Sequence, residues 1–217
     1  MGATAAVTRM LGLDKQKITM ALGTAGSRAG SLALNTGTMT KASHSGHGAR
    51  MGVECGLLAS MGWTAASEIF VGDSAFFDLF TEGEVNPELL VKDFGKPFRM
   101  VDPGIGFKKH PCNYFTHRAV DAAIGLYQGG LRAKEIDSVE VFFPPFEYVN
   151  RPKPASGLDG KFSVQYVTAA ALLDGEVTID SFNDERRFAP DMEDMLARTK
   201  FVGDPSIPGD FNDTHAE

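Results

Sequence analysis

Cysteine is scarce. Cys55 and Cys112 are the two thiols in 217 residues, too few for a disulfide framework, an iron–sulfur cluster or a Cys-rich zinc site. Long apolar runs are missing as well. None reaches the roughly 20 residues that span a bilayer, and no basic stretch followed by an apolar one marks a secretory signal at the start. There is no block of positive charge. Lys and Arg number 21 against 28 Asp and Glu, a formal net charge of −7. An acidic chain without a basic patch is a poor partner for a phosphate backbone, so neither nucleic acid nor membrane is expected as a partner. No Walker A sequence occurs. The glycines at 23, 26 and 30 do not follow a strand, so they are no dinucleotide fingerprint. Internal repeats are absent. These gaps leave a soluble protein of a reducing compartment, cytoplasmic, or mitochondrial in a eukaryote.

What is present suits a globular core: 43% of residues are hydrophobic, 10% aromatic and 23% charged. The first third reads as helix. Met1 to Leu11 is Ala-rich, and Asp14 can cap a helix from Lys15 in which Ile18, Ala21, Leu22 and Ala25 recur at helical spacing. Gly23, Gly26, Ala29 and Gly30 would let another helix approach closely. A polar break, Asn35 to Thr40, precedes a helix expected from Ser45 to Met61. Short capped helices are expected at 65–68 after Thr64, at Ser74 to Phe80 after Asp73, and at Glu88 to Phe94 after Asn86-Pro87, with Gly95 as the stop.

The texture changes after Lys96. Pro97, Pro103, Gly104 and Gly106 mark a connection, and a domain boundary is placed near Asp102. Beyond it the pattern predicts an amphipathic helix from Phe115 to Gln128. A strand follows from Ser138 to Phe143, with Val139, Val141 and Phe143 on one face. Further helices are expected from Lys161 to Leu173, stopped by Asp174-Gly175, and from Pro190 to Arg198. The tail from Gly203 on is polar and expected to be mobile. The fold class is therefore α+β: a helical part over 1–102, then a smaller α+β part over 103–217. Met1 opens directly on a helix without a cap. The single clear strand needs a partner, weakly signalled at Thr199 to Val202 or lying beyond Glu217. Both features predict a piece of a longer chain, with apolar helix faces left uncovered and a tendency to associate.

Three clusters could carry chemistry. Lys41 and His44, in the run Gly37 to His47, lie where a loop meets a helix start. Unpaired N–H groups and the helix dipole favour an anion there, and a histidine can shuttle a proton near neutral pH. The alternative is a polar connection whose side chains simply cap the helix. His44 and His47 lack the i, i+4 spacing and the adjacent Glu of a helical zinc motif. The second cluster, Phe107 to His117, places Lys108, Lys109, His110, Cys112, Tyr114 and His117 ahead of a helix; a basic surface loop is the plain alternative. In the third, Tyr148 to Pro152, Tyr148 could relay a proton and Arg151 could grip a carboxylate, or both could belong to a surface turn. Asp102 to Phe107 resembles a pterin-binding signature of dihydropteroate synthases, but the βα alternation of a barrel is missing upstream.

Taken in order, several segments resemble the MmgE/PrpD family, which includes 2-methylcitrate dehydratases, cis-aconitate decarboxylases and an iminodisuccinate epimerase. They are Leu13-Asp14 with Ala21 to Ala25, Gly37 to Lys41 with His44, Lys108 with Pro111, Thr116-His117 and Asp121-Ala122. Tyr148 to Pro152, Ser163 to Tyr166 and Leu172 to Gly175 complete the set. The resemblance implies a large helical domain and a smaller α+β lid, usually dimeric, with a site between them for small di- or tricarboxylates and no metal or organic cofactor. It implies catalytic roles for Lys41, His44, Lys108 and Tyr148, and substrate-binding roles for Thr40, His117 and Arg151. Asn113 stands where the decarboxylase branch has a histidine, and a family segment carrying an Asp, a Thr and a His has no counterpart here. The resulting expectation is a carbon–oxygen or carbon–carbon lyase, a homodimer when full length and inactive as this stretch alone. The alternative is a non-catalytic remnant that binds a polycarboxylate or associates with another subunit.

Overall fold

The computed structural model describes residues 1–81 and 85–210 and divides into two compact units. The first comprises Met1–Asn35 and Met39–Ile105; the second takes Thr36–Thr38 and the residues from Gly106 on.

The first unit is built on three helices: α1 (Gly2–Met10), α2 (Lys15–Ser27) and α3 (Met39–Ser60). The Asp14 carboxylate accepts from the Lys17 backbone N–H at 2.8 Å, the expected cap of α2. The helices meet through small residues. A Cβ on Gly52 would lie 2.3 Å from Ala3 Cβ, and one on Gly56 would lie 2.7 Å from Val7, so bare backbone of α3 rests on α1. Ala21, Ala25, Cys55 and Ala59 complete this thin core, together with the buried hydroxyls of Thr4 and Thr8.

Two expectations change here. α3 starts at Met39, six residues ahead of Ser45, so Lys41 and His44 lie inside the helix rather than in the loop before it. No helix forms at 65–68. That stretch runs across the small face of α2 instead: Ala65 N–H reaches the Met20 sulfur at 3.2 Å, and the Ala66 carbonyl lies 2.7 Å from where a Gly23 Cβ would be. Gly23 and Gly26 therefore admit coil and the Ile69 side chain rather than a helix. α4 (Phe76–Thr81) and α5 (Glu88–Val91) follow, the latter ending three residues early.

The second unit carries the larger core. α6 (His117–Gln128) begins two residues later than expected. β1 (Val139–Phe143) buries Val141 and Phe143 and exposes Glu140 and Phe142, the expected alternation. α7 (Gly157–Gly160) precedes α8 (Val164–Asp174). Ser163 caps α8 by accepting from Tyr166 N–H at 2.9 Å, and Gly175 at φ +75° stops it. α9 (Asp184–Arg187) and α10 (Pro190–Arg198) lead into β2 (Thr199–Gly203). β2 is the partner hinted at in the sequence. It pairs with β1 in parallel, Val139 opposite Thr199 through Phe143 opposite Gly203. α8, buried along nearly its whole length, lies at the centre, with Val120, Tyr166, Val167, Met192 and Met195 fully enclosed. The tail is not loose at its start: Asp204 N–H bonds to the Phe143 carbonyl at 2.8 Å and Ile207 is buried. The rest of the expected mobile tail, 211–217, lies outside the described residues. Among those described, no helix is long and apolar enough to cross a membrane.

Candidate functional site

The residues singled out from the sequence fall on both units. On the first, Thr40, Lys41 and His44 occupy the first two turns of α3. First-turn N–H groups have no partner within the helix, so the ammonium of Lys41 stands among backbone donors that attract an anion. Thr40 and Lys41 are exposed and His44 half-buried. The Thr40 carbonyl accepts from the Ser43 hydroxyl at 2.7 Å. His44 lines an open groove of about 640 Å³ with His47, Arg50, Ser31 and Asn35. The sequence reading missed His47 and Arg50 as members of this set. Their spacing from His44, i+3 and i+6, was the available signal, since it places all three on one side of a helix.

On the second unit, the loop before α6 folds back on itself. The Lys108 ammonium donates to the Cys112 carbonyl at 2.7 Å. Asn113 N–H bonds to the Lys161 carbonyl at 2.8 Å, and the Asn113 side chain accepts from Phe115 N–H at 3.0 Å. The same amide hydrogen-bonds the Tyr148 phenol, whose ring stacks on Phe146 with centroids 5.9 Å apart. Burial pushes the Tyr148 hydroxyl above its usual range and the Asn113 contact only partly offsets this, so the phenol is a protonated donor at neutral pH. Asn113, which the sequence reading marked only as a departure from the decarboxylase pattern, is thus the residue that orients Tyr148.

His117, the first residue of α6, is 8% exposed, and its Nε2 has no hydrogen-bond partner among the described residues. Burial lowers its pKa. His110 and Lys108 act in the same direction, against a backbone hydrogen bond with His110 and the charge of Asp121. A neutral imidazole with an unoccupied ring nitrogen is a ready proton acceptor. Its neighbour His110, with ring centroids 5.2 Å apart, bonds Asp121 at 2.9 Å, and Lys109 bonds the same carboxylate oxygen at 2.6 Å. Burial raises the Asp121 pKa, but hydrogen bonds from Lys109 and His110 outweigh it and the net shift is down. The Cys112 thiol is pushed up by burial and receives the Thr116 hydroxyl at 3.4 Å, so it is not an activated nucleophile.

Arg151 is fully engaged. Its Nε donates to the Tyr148 carbonyl at 3.0 Å, Nη1 pairs with Asp159, and Nη2 reaches the Thr36 carbonyl at 3.3 Å. The sequence reading gave this guanidinium to a substrate carboxylate; in the structure each of its three nitrogens already has a protein acceptor. Among the described residues, no three His, Cys, Asp or Glu side chains converge so as to hold a metal ion.

A helical first unit and an α+β second unit together define an α+β protein. The chain belongs to the MmgE/PrpD family: residues 1–88 match the MmgE/PrpD N-terminal domain and residues 110–217 the MmgE/PrpD C-terminal domain. It is 30% identical to the cis-aconitate decarboxylase of Mus musculus over its whole length, covering 46% of that protein. It is 27% identical to the 2-methylcitrate dehydratase of Salmonella typhimurium over 98% of its length, again covering 46% of the relative. The chain thus spans about half the length of the curated relatives it matches.

Proposed function

We propose that this chain carries about half of a cofactor-independent lyase acting on a small di- or tricarboxylic acid. The observation that carries the reading is the end-to-end match to curated proteins named as a decarboxylase and a dehydratase. Lys41 and Lys108 hold substrate carboxylates, with Thr40 beside the first and His117 beside the second. The reacting carbon lies next to a carboxylate, and its proton passes to or from a histidine. His44 is the first candidate on the helical part; His117, kept neutral by burial, is the acceptor on the α+β part. In dehydration, Tyr148 gives a proton to the departing hydroxyl, which leaves as water. In decarboxylation, the electron pair left on carbon by departing carbon dioxide takes up a proton. Positioned proton transfer contributes roughly 10²–10⁴-fold. Charge stabilisation of the developing enolate-like carboxylate by the two lysines supplies the larger remainder. The residues 1–102 are then the helical domain and 103–217 the lid, in a protein that works as a homodimer.

The test is to incubate the protein with cis-aconitate, 2-methylcitrate and citrate separately and follow vinyl and methylene protons by NMR. Conversion of one acid, lost on Lys41→Ala, supports the lyase. Saturable binding of these acids without turnover favours a polycarboxylate-binding protein, the second reading. Neither binding nor turnover by a folded protein removes both.

A further inference from the structure

The segment Thr36–Thr38 belongs to the second unit, although its sequence neighbours on both sides belong to the first. Arg151 holds it there. The guanidinium plane is shared by three elements: the Tyr148 carbonyl, the Asp159 carboxylate on α7 and the Thr36 carbonyl. Arg151 itself is fixed from behind. Its backbone N–H donates to Gln165 Oε1 at 3.2 Å, its carbonyl accepts from Ser163 Oγ at 2.6 Å, and its guanidinium lies over the Phe162 ring, 5.5 Å from the centroid. Asp159 is held as well, accepting from Ala155 N–H at 2.9 Å. Gly37 sits directly under the pair. Its φ is +100°, and a Cβ there would lie 2.5 Å from Arg151 Nη1 and 2.9 Å from Asp159 Oδ1. Only glycine permits both the left-handed backbone and the close approach. α3 starts at the next residue after Thr38, and Lys41 is its third residue.

We infer that Arg151 is a positioning residue rather than a substrate ligand: with Asp159 it clamps the Thr36–Gly37–Thr38 strap, the residues that lead in sequence into α3 and Lys41. A planar fork with several donors suits this role, because it can hold three acceptors in fixed directions where an ammonium cannot. The inference rests on the lyase reading for the importance of Lys41, but the clamp is measurable without it.

Hydrogen exchange of the full chain tests the clamp. In Arg151→Ala, amides of residues 37–43 should exchange at least roughly tenfold faster, as for loss of a charge-assisted hydrogen bond that opposes local opening, while those of α8 stay protected. Arg151→Lys should recover only part of the protection. Gly37→Ala should loosen the same amides, and its effect should shrink in the Arg151→Ala background, where the nearer of its two collisions is gone while that with Asp159 remains. If Arg151→Ala exposes α8 as well, Gly37→Ala alone decides. Unchanged exchange at 37–43 in Gly37→Ala and in a folded Arg151→Ala protein overturns the clamp. The second arm measures protection of Lys41 from acetylation by citrate. Citrate affinity is measured in parallel: positioning predicts that Arg151→Ala weakens both the protection of Lys41 and citrate affinity, and that the double variant binds citrate no more weakly than Lys41→Ala. An additive double variant assigns Arg151 to substrate and overturns the positioning role. No citrate protection in the unaltered protein removes Lys41 as a citrate ligand and leaves the exchange result to decide the clamp.

Discussion

At the scale of single residues, the acid–base assignments make two sharp predictions. Lys41 is exposed and contributes little to any core. In a protein with measurable turnover, Lys41→Ala should lower catalytic efficiency about 10- to 150-fold, the value of one charge-assisted hydrogen bond, with an unchanged melting temperature. Lys41→Arg should not restore it, since a planar fork does not replace a compact ammonium in a narrow anion site. Steady-state kinetics and a thermal melt on the same variants check this. His117 carries the second prediction. Its folded pKa lies below its usual 6.5 because burial disfavours the charged ring. The unfolded chain therefore binds the proton first as pH falls, and folding loses stability from pH 6.5 downward until the folded pKa is passed, after which this contribution is constant. An NMR titration should give a midpoint for His117 below 6.5, and His117→Gln should flatten the acid side of the melting-temperature profile. A midpoint at or above 6.5 would show that Nε2 is solvated or paired.

At the scale of elements, α3 shows that the value of a glycine depends on its neighbours. Gly52 faces α1 backbone, with Ala3 C at 2.7 Å and Thr4 N at 2.8 Å from a Cβ placed there, whereas nothing lies within 4 Å of one placed on Gly46. Gly46→Ala should raise stability by up to about 1 kcal/mol through helix propensity. Gly52→Ala has the same propensity gain but forces α1 away, at roughly 1–3 kcal/mol, so its net effect should be destabilising. Urea unfolding of the two variants, side by side, separates them. The same helix shows what the sequence could and could not reveal. The Asp14 cap, the β1 alternation and the Gly175 stop were legible because each is a local signal. The early start of α3 was not: Thr38 to Ser43 has no apolar period to announce a helix, and the guanidinium that meets the Thr36 carbonyl ahead of it belongs to Arg151, more than a hundred residues away in sequence. The stretch at 65–68 failed for the opposite reason. Its Thr-Ala-Ala-Ser-Glu pattern is a fair local helix start, but the bare face of α2 accepts an extended backbone more closely than it would accept a helix. The candidate lysines and histidines were singled out from residue type and position. The contacts of Arg151 with Tyr148, Asp159 and Thr36, and of Asn113 with Tyr148, are ones that residue spacing does not encode.

At the scale of the whole molecule, the two units differ in what encloses them. The second unit buries Phe143, Tyr166, Met192 and Met195, whereas the buried apolar side chains of the first are alanines and one cysteine. Large apolar side chains of the first unit face outward instead, Leu34 93%, Phe94 83% and Met39 81% exposed among them. Contiguous apolar patches beyond a few hundred Å² mark interfaces or sites of aggregation. The chain should therefore elute larger than its 23.3 kDa mass and bind a hydrophobic dye in its native state. A sharp monomeric peak without dye binding would contradict this. The α+β core is the part expected to survive mild denaturant, because burial of large side chains is worth about 1.5–3 kcal/mol each.

The parallel seam between β1 and β2 also governs the order of assembly. An antiparallel pair can zip from a tight turn, but these strands are joined through all of residues 144–198, including α7 to α10. Closing so long a loop costs chain entropy before any strand contact repays it. The intervening helices, and α8 above all, must therefore be in place first, bringing Thr199 opposite Val139. Strand pairing falls late in folding, and a chain newly leaving the ribosome holds β1 without β2 beside it until Thr199–Gly203 has been made.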